Sequence, residues 1–215
     1  MMDLQSARIN MVEGQVRPNQ VHDGRIIAAM RALPREGFAP AGTNAYADID
    51  LPLGEGRFML APMTIGRMAQ LVLAEHPEHV LVIGAGSGYG AALLAASGVK
   101  SVVALEEEAR LDTGALAKWA PRVARVSGPL AKGLPSLGPF DATLIEGAVA
   151  DIPALLARQL KKNGRVVTIL ANPQTAGLGA IVVAEPSVNG FACRPVFDCT
   201  ARLLPAFRPA PVFEF

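Results

Sequence analysis

The stretch HVLVIGAGSGYGAALLA, residues 79–95, runs from an apolar strand through a glycine-rich bend into a helix. Glycine has no Cβ and adopts positive φ without strain, so such a bend lets the backbone approach a ligand closely. The N-terminus of the following helix favours negative charge. In parallel α/β sheets, ligands bind beyond the carboxyl ends of the strands. We therefore expect a ligand at Gly84, Gly86, Gly88 and Gly90.

Strands and helices alternate regularly around this bend. The sequence predicts strands at 80–83, 102–105, 124–128, 140–147 and 164–170, and helices at 90–96, 109–118 and 152–160. Near-continuous β-branched strands that alternate with helices indicate a parallel sheet covered on both faces. Residues 180–204 add two strands with a turn at Asn189–Gly190, the signal of an antiparallel hairpin.

The first third of the chain has a different pattern. Its composition and spacing predict helices at 3–16, 22–33 and 63–73 and an irregular segment at 34–58. The Pro-rich tail from 205 to 215 is predicted to be extended. We find no internal repeat, and the length suits one α/β domain with short appendages.

Composition narrows the function classes. The 20 basic and 19 acidic side chains leave a net charge of +1, which argues against an electrostatic nucleic-acid binder. Cys193 and Cys199, with only three histidines, are too few for a disulfide scaffold or a zinc site. The N-terminus lacks the pattern of a signal peptide, and no apolar run approaches the ~18 residues of a membrane span. We expect a cytoplasmic protein with reduced thiols, without a metal and not bound to a membrane.

Two cofactors agree with the glycine bend and with Glu106, the acid that ends the second strand of the alternating pattern. A carboxylate there can accept hydrogen bonds from a ribose diol. Gly86, Gly88 and Ala91 satisfy a dinucleotide fingerprint loosely, whereas a G-x-G-x-G loop from Gly84 is typical of S-adenosylmethionine binding. The bland alternatives are a tight strand–helix turn and a solvated glutamate at a helix start.

A family resemblance favours the second cofactor. The stretches that carry it are MVEGQVRPNQVHDGRIIAAMRALPREGFAP (11–40), AYADIDLPLGEG (45–56), VLVIGAGSGYGAALLA (80–95) and FDATLIEGAVADIPALLARQLKKNGRVV (140–167). In this order they resemble the protein-L-isoaspartate O-methyltransferase family. The resemblance implies a seven-stranded, Rossmann-like methyltransferase fold with an antiparallel C-terminal hairpin. It also implies a substrate-side region at 1–62 and a cofactor-binding domain at 63–215 within one compact unit.

The resemblance further implies a reaction and a cofactor site. The family transfers a methyl group from S-adenosylmethionine to the α-carboxylate of an isomerised aspartate in damaged protein and releases S-adenosylhomocysteine. Carried over to this chain, Gly84, Gly86 and Gly88 approach the methionyl part of the cofactor, and Ser87 and Tyr89 line the same turn. Glu106 holds the ribose hydroxyls.

The chain departs from the family pattern at the substrate side and at the cofactor. Where the family reads GQTISQP, this chain reads GRFMLAP (56–62), so Leu60 stands in place of the family's active-site serine and Phe58 in place of a threonine. Leucine cannot form a hydrogen bond. Val82 and Pro129 replace a strand acid and the aspartate that usually meets the adenine amine.

Two charged residues are candidates for the substrate side. Arg57 replaces the family's glutamine and could pair bidentately with a substrate carboxylate, although a surface arginine is an equal alternative. Glu146 is expected past a strand end, where it contacts cofactor or substrate or has only a structural hydrogen bond.

The leading hypothesis is therefore isoaspartyl methyl transfer. The alternatives are a methyltransferase with a less polar acceptor, a catalytically degenerate binding module and, more distantly, a dehydrogenase.

Overall fold

The computed structural model describes residues 3–107 and 114–208. Its α-helices are α1 (Leu4–Met11), α2 (Gly24–Ala32), α3 (Pro62–Leu73), α4 (Tyr89–Ala96) and α5 (Gly114–Trp119). Its strands are β1 (Leu51–Gly54), β2 (Arg57–Met59), β3 (His79–Ile83), β4 (Ser101–Glu106), β5 (Ala124–Ser127), β6 (Phe140–Val149), β7 (Leu160–Ala171), β8 (Leu178–Ser187) and β9 (Gly190–Thr200).

Shorter helical segments complete the described ranges. The first helix continues into a π-helical turn over Val12–Val16. Short 3₁₀ helices of one or two turns lie at Arg35–Gly37, Leu130–Lys132, Pro135–Leu137, Ala154–Gln159 and Pro205–Phe207.

The main sheet has seven strands in the order β5-β4-β3-β6-β7-β8-β9. The five strands β5, β4, β3, β6 and β7 run parallel to one another, whereas β8 is antiparallel to both β7 and β9. The predicted parallel sheet with an antiparallel C-terminal hairpin is confirmed. The strand order reverses between β3 and β6, so the loop after β3 lies at the edge of the sheet where α/β proteins bind ligands.

Alternate residues of β3 pack on opposite faces of the sheet, as the pleat requires. Val80 and Val82 belong to one buried cluster, to which α1 to α5 also contribute, for example through Ile26 and Met68. Leu81 and Ile83 belong to a second cluster that contains buried residues of the 3₁₀ turns, such as Leu156. The N-terminal helices therefore share a core with the sheet.

Three details differ from the predictions. Of the predicted helix 152–160, only Ala154–Gln159 is helical, as a 3₁₀ helix between Pro153 and the start of β7 at Leu160. The segment 34–58, predicted to be irregular, contains β1 and part of the antiparallel hairpin that β1 and β2 form. The turn between β8 and β9 lies at 188–189, one residue before the predicted position.

Some predictions fall partly on residues that are not described. Residues 109–113 of the predicted helix 109–118 and residues 209–215 of the Pro-rich tail lie outside the described residues.

Cys193 and Cys199 are free thiols, and burial raises the pKa of Cys199 to about 11. In the described part of the chain, no helix combines the length and apolar character needed to cross a membrane.

Candidate functional site

The glycine bend between β3 and α4 has the backbone conformation that its sequence predicts. Gly84, Gly86 and Gly88 have φ values of 71°, 53° and 83°. These left-handed conformations are strained for residues with a Cβ atom, so glycine is required at each position. The bend is closed by a hydrogen bond of 2.7 Å that the amide of Gly88 donates to the carbonyl of Ala85.

Glu106 ends β4 directly beside this bend. Its carboxylate accepts hydrogen bonds from the amides of Gly86 at 2.7 Å and Glu107 at 2.8 Å. The side chain is fully buried. The sheet order places β4 next to β3, so the acid and the bend meet although 20 residues separate Glu106 from Gly86.

Arg57, on β2, forms a bidentate ion pair with Glu106. Its Nη1 and Nη2 donate to Oε1 and Oε2 at 2.7 and 2.6 Å, and its side chain is only 2% exposed. A Cβ atom built on Gly84 would lie 3.2 Å from Nη2 of Arg57, so the guanidinium packs directly against the bend. The alternative of a surface arginine is thereby wrong. The site prediction for Arg57 and Glu106 gave no indication that the two residues bind each other.

Glu146 is a second buried acid of the site. It lies within β6, where the pairing with β7 is irregular between Leu144 and Ala148, rather than past the end of a strand as predicted. Its Oε2 has no hydrogen-bond partner. Burial raises the pKa of Glu146 to about 8, and the charge of Glu106 adds to this, whereas the charges of Arg57 and Arg35 oppose it. The carboxyl is therefore neutral at pH 7.

Tyr89 directly follows the bend as the first residue of α4, and Arg35 packs against its ring. Tyr89 is fully buried, and its ring contacts Phe38 edge-to-face with centroids 5.6 Å apart. The guanidinium of Arg35 lies 4.8 Å from the centroid of the Tyr89 ring. Arg35 donates to the carbonyls of Ala45 at 2.8 Å and Leu60 at 2.6 Å. Sequence reasoning missed Arg35, whose only signal was its place in the stretch PREGFAP, residues 34–40.

The side chain of Leu60 does not face a polar site. It is 4% exposed and belongs to the same buried cluster as Val82. Phe58 lies on β2, and the guanidinium of Arg202 stacks over its ring at 4.4 Å from the ring centroid. Leu60 thus contributes its carbonyl, not its side chain, to the surroundings of the site.

A cleft of about 600 Å³ adjoins Arg57 and the bend. Its walls are the segment 37–41 and the β1–β2 hairpin, and Gly86 and Ser87 contribute to its lining. This volume is in the range of small-molecule sites, which is roughly 300–1,000 Å³. The buried Oγ of Ser87 and Nε of Arg57 have no hydrogen-bond partner, so two polar atoms are available in this part of the site.

The residues of the site fit a nucleoside cofactor in all but one respect. The bend offers close backbone approach, and Glu106 has the position and acceptors that a ribose diol needs. However, both oxygens of Glu106 are bonded to Arg57. The carboxylate can accept a ribose only when the guanidinium leaves it.

Comparison with known proteins agrees with this site. The fold is that of the Rossmann-like, S-adenosylmethionine-dependent methyltransferases. The model of the protein-L-isoaspartate(D-aspartate) O-methyltransferase family matches residues 7–179. The chain belongs to this family, whose members are O-methyltransferases that use S-adenosylmethionine.

Individual relatives cover most of the chain. A protein-L-isoaspartate O-methyltransferase of Methylorubrum extorquens is 40% identical over 177 residues, which are 80% of this chain and 77% of the relative. One from Methanoculleus marisnigri is 37% identical over 187 residues, 85% of each chain. A crystal structure of a beta-aspartate methyltransferase from Plasmodium falciparum in complex with S-adenosyl-L-homocysteine has the same fold, with a TM-score of 0.76 and 17% identity over 92% of this chain and 98% of that one.

Proposed function

We propose that this chain transfers the methyl group of S-adenosylmethionine to the α-carboxylate of an isomerised aspartyl residue in damaged protein. The observation that carries the proposal is the buried carboxylate of Glu106, which the amide of Gly86 fixes beside the positive-φ bend. Family membership supports the same cofactor and acceptor.

When bound, S-adenosylmethionine supplies an electrophilic sulfonium methyl group, which becomes the methyl ester while the S–C electron pair stays on sulfur. The acceptor needs no general base, because a carboxylate is already ionised and nucleophilic at pH 7. The protein therefore aligns the acceptor and excludes water. The replacement of the family's serine by Leu60 therefore removes no proton-transfer step.

The chain's residues divide this work. Gly84, Gly86 and Gly88 allow close approach of the cofactor, and Ser87 offers a buried hydroxyl. Glu106 would hold the ribose hydroxyls. The neutral carboxyl of Glu146 can donate a hydrogen bond to an anionic or carbonyl oxygen, which an ionised glutamate cannot do.

The test is transfer of a labelled methyl group. The full chain is incubated with methyl-tritiated S-adenosylmethionine and an isoaspartyl peptide. Base then hydrolyses the methyl ester, and the tritiated methanol that it releases is counted. The matched control is the same peptide with ordinary aspartate. We expect ester formation on the isoaspartyl peptide only. Label at the level of the blank on both peptides would reject the proposed function.

The acceptor could instead be less polar, as the apolar residues Phe58, Met59 and Leu60 suggest from the sequence alone. The geometry weakens that argument, because Met59 and Leu60 are buried in the core. If the protein binds the cofactor saturably but forms an ester on neither peptide, a less polar acceptor becomes the favoured alternative.

A further inference from the structure

The ion pair of Arg57 with Glu106 lies in the proposed cofactor site, where a purely structural ion pair would block the ligand. Its two hydrogen bonds engage both oxygens of the carboxylate expected to hold the cofactor's ribose. The geometry of a guanidinium with two parallel N–H donors matches that of a diol with two neighbouring O–H donors, since each presents two donors to one carboxylate. Arg57 and a ribose diol are therefore competitors for the same acceptors.

The guanidinium also fills space at the bend. A Cβ atom built on Gly84 would meet Nη2 of Arg57 at 3.2 Å and Cδ1 of Leu204 at 3.3 Å, and one built on Gly86 would meet Cδ1 of Leu53 at 3.0 Å. These side chains lie where a ligand that uses the missing Cβ atoms would lie. Arg57 and Leu53 both belong to the β1–β2 hairpin, so movement of this hairpin would free the bend and the carboxylate together.

A displaced Arg57 needs another anion. A buried charge without a partner is costly, so the guanidinium would leave Glu106 only for water or for a second carboxylate. Among the described residues, the charges of Arg35 and Glu106 act on Glu146 together with that of Arg57, and the exposed Glu55 lines the same cleft as Arg57. Glu146 is neutral at pH 7 and offers no negative charge. Arg57 also lines the 600 Å³ cleft, where the acceptor's carboxylate would enter.

We propose that Arg57 alternates between two carboxylates: it closes the cofactor site by pairing with Glu106, and when the cofactor's ribose displaces it, it binds the carboxylate of the acceptor. This inference rests on the proposed function for the identity of the acceptor. It makes cofactor and acceptor binding cooperative, since each ligand favours the same displaced position of Arg57.

The first experiment measures binding, not turnover. S-adenosylhomocysteine is titrated calorimetrically into the full-length wild type and into Arg57→Met and Arg57→Lys. Removal of the competitor is expected to tighten S-adenosylhomocysteine binding by roughly tenfold or more in Arg57→Met. Arg57→Lys, which keeps a charge but loses the bidentate fork, is expected to tighten it less. If Arg57→Met does not fold, the affinity of Arg57→Lys for S-adenosylhomocysteine is compared with that of the wild type instead.

A matched control removes another guanidinium–carboxylate pair. Arg165 contacts Glu75 at 3.4 Å, and its side chain is 15% exposed. Arg165→Met is expected to leave the dissociation constant of S-adenosylhomocysteine unchanged. A similar tightening in this control would mean that the effect does not come from the site, and it would overturn the proposal.

The second experiment repeats the titrations with a saturating isoaspartyl peptide. The wild type is expected to bind S-adenosylhomocysteine more tightly with the peptide than without it, and Arg57→Met is expected to show no such difference. The proposal is overturned if both Arg57 variants bind S-adenosylhomocysteine as weakly as the wild type or more weakly. It is also overturned if the peptide changes the affinities of wild type and Arg57→Met equally.

Failure of the proposed function gives a different pattern. If Arg57→Met binds S-adenosylhomocysteine more tightly than the wild type but neither protein responds to the isoaspartyl peptide, the competition at Glu106 stands and the assignment of the acceptor fails. If wild type and variant bind equally and the wild type methylates the isoaspartyl peptide, the proposed function stands and Arg57 is not a competitor.

Discussion

Oε2 of Glu146 lies only 2.3 Å from the position that a Cβ atom on Gly90 would occupy. The buried carboxyl of β6 and the first turn of α4 are thus packed without room for a methyl group between them. Cδ of the same glutamate would be 2.9 Å away, and Cδ1 of Ile65 3.2 Å away. Gly90 is required here for close packing and not for its backbone conformation.

Gly90→Ala is therefore expected to destabilise the protein. The buried Glu146 side chain cannot swing into solvent, so the backbone of α4 or β6 must shift, at about 1–3 kcal/mol for overpacking of this kind. Urea unfolding measures the change. The control is Gly14→Ala, where the added Cβ would meet no atom within 4 Å. Equal stability of Gly90→Ala and Gly14→Ala would contradict the packing argument.

Glu146 is expected to make stability depend on pH. Its pKa is about 8 in the folded protein and about 4.3 in an unfolded chain, so the folded state holds the proton more tightly. The stabilising contribution of the neutral carboxyl is complete below pH ~4.3 and is lost progressively as the pH rises from there through about 8. Stability thus falls with rising pH in this window.

Glu146→Gln removes this dependence. In thermal melts, the variant is expected to be slightly more stable than the wild type at pH 5 and much more stable at pH 9. The exposed Glu185→Gln serves as control and should follow the wild type at both values. A difference between Glu146→Gln and wild type that is the same at pH 5 and pH 9 would show that Glu146 does not titrate as described.

The pair of Arg57 and Glu106 is expected to matter for folding when only one partner is removed. Arg57→Met leaves a buried carboxylate without its cation and should cost about 3–5 kcal/mol. The double variant Arg57→Met/Glu106→Leu should recover much of this loss, because neither charge then remains unpaired. The free energies of unfolding of the single and the double variant are measured. The control is Lys100→Met, which removes an exposed ion pair with Glu78 and should cost under about 1 kcal/mol. A loss in Arg57→Met no greater than in Lys100→Met would refute the burial argument.

Restoring the family's serine is expected to harm the protein. Leu60→Ser would place a hydroxyl in the apolar cluster and leave a cavity, at roughly 2–5 kcal/mol. Leu60→Met keeps the volume and should cost less than about 1.5 kcal/mol. Chemical unfolding and the methyl-transfer assay together check this. A folded Leu60→Ser variant with raised methyl transfer would show that position 60 reaches the acceptor after all.

The sequence predicted the local parts of this architecture well. The bend at Gly84, Gly86 and Gly88 and the acid at Glu106 follow from short patterns, since glycine and strand-end positions obey local rules. The β8–β9 hairpin was placed within one residue because Asn-Gly is a strong turn signal. The sheet follows from the alternation of strands and helices.

The parts that were missed depend on distant residues. Arginine is seldom fully buried, so nothing local in the stretch GRFM, residues 56–59, indicates that Arg57 turns inward. Its partner is 49 positions away. Glu146 was predicted past a strand end, whereas β6 continues beyond it to Val149. The short β1–β2 hairpin carries too few residues for a period to be recognised.

A crystal structure of the wild type with S-adenosylhomocysteine tests the central claim most directly. We expect the ribose hydroxyls to lie within hydrogen-bonding distance of Glu106 and the guanidinium of Arg57 to have turned into the adjoining cleft. A complex in which Arg57 remains on Glu106 while the nucleoside binds elsewhere would contradict the account.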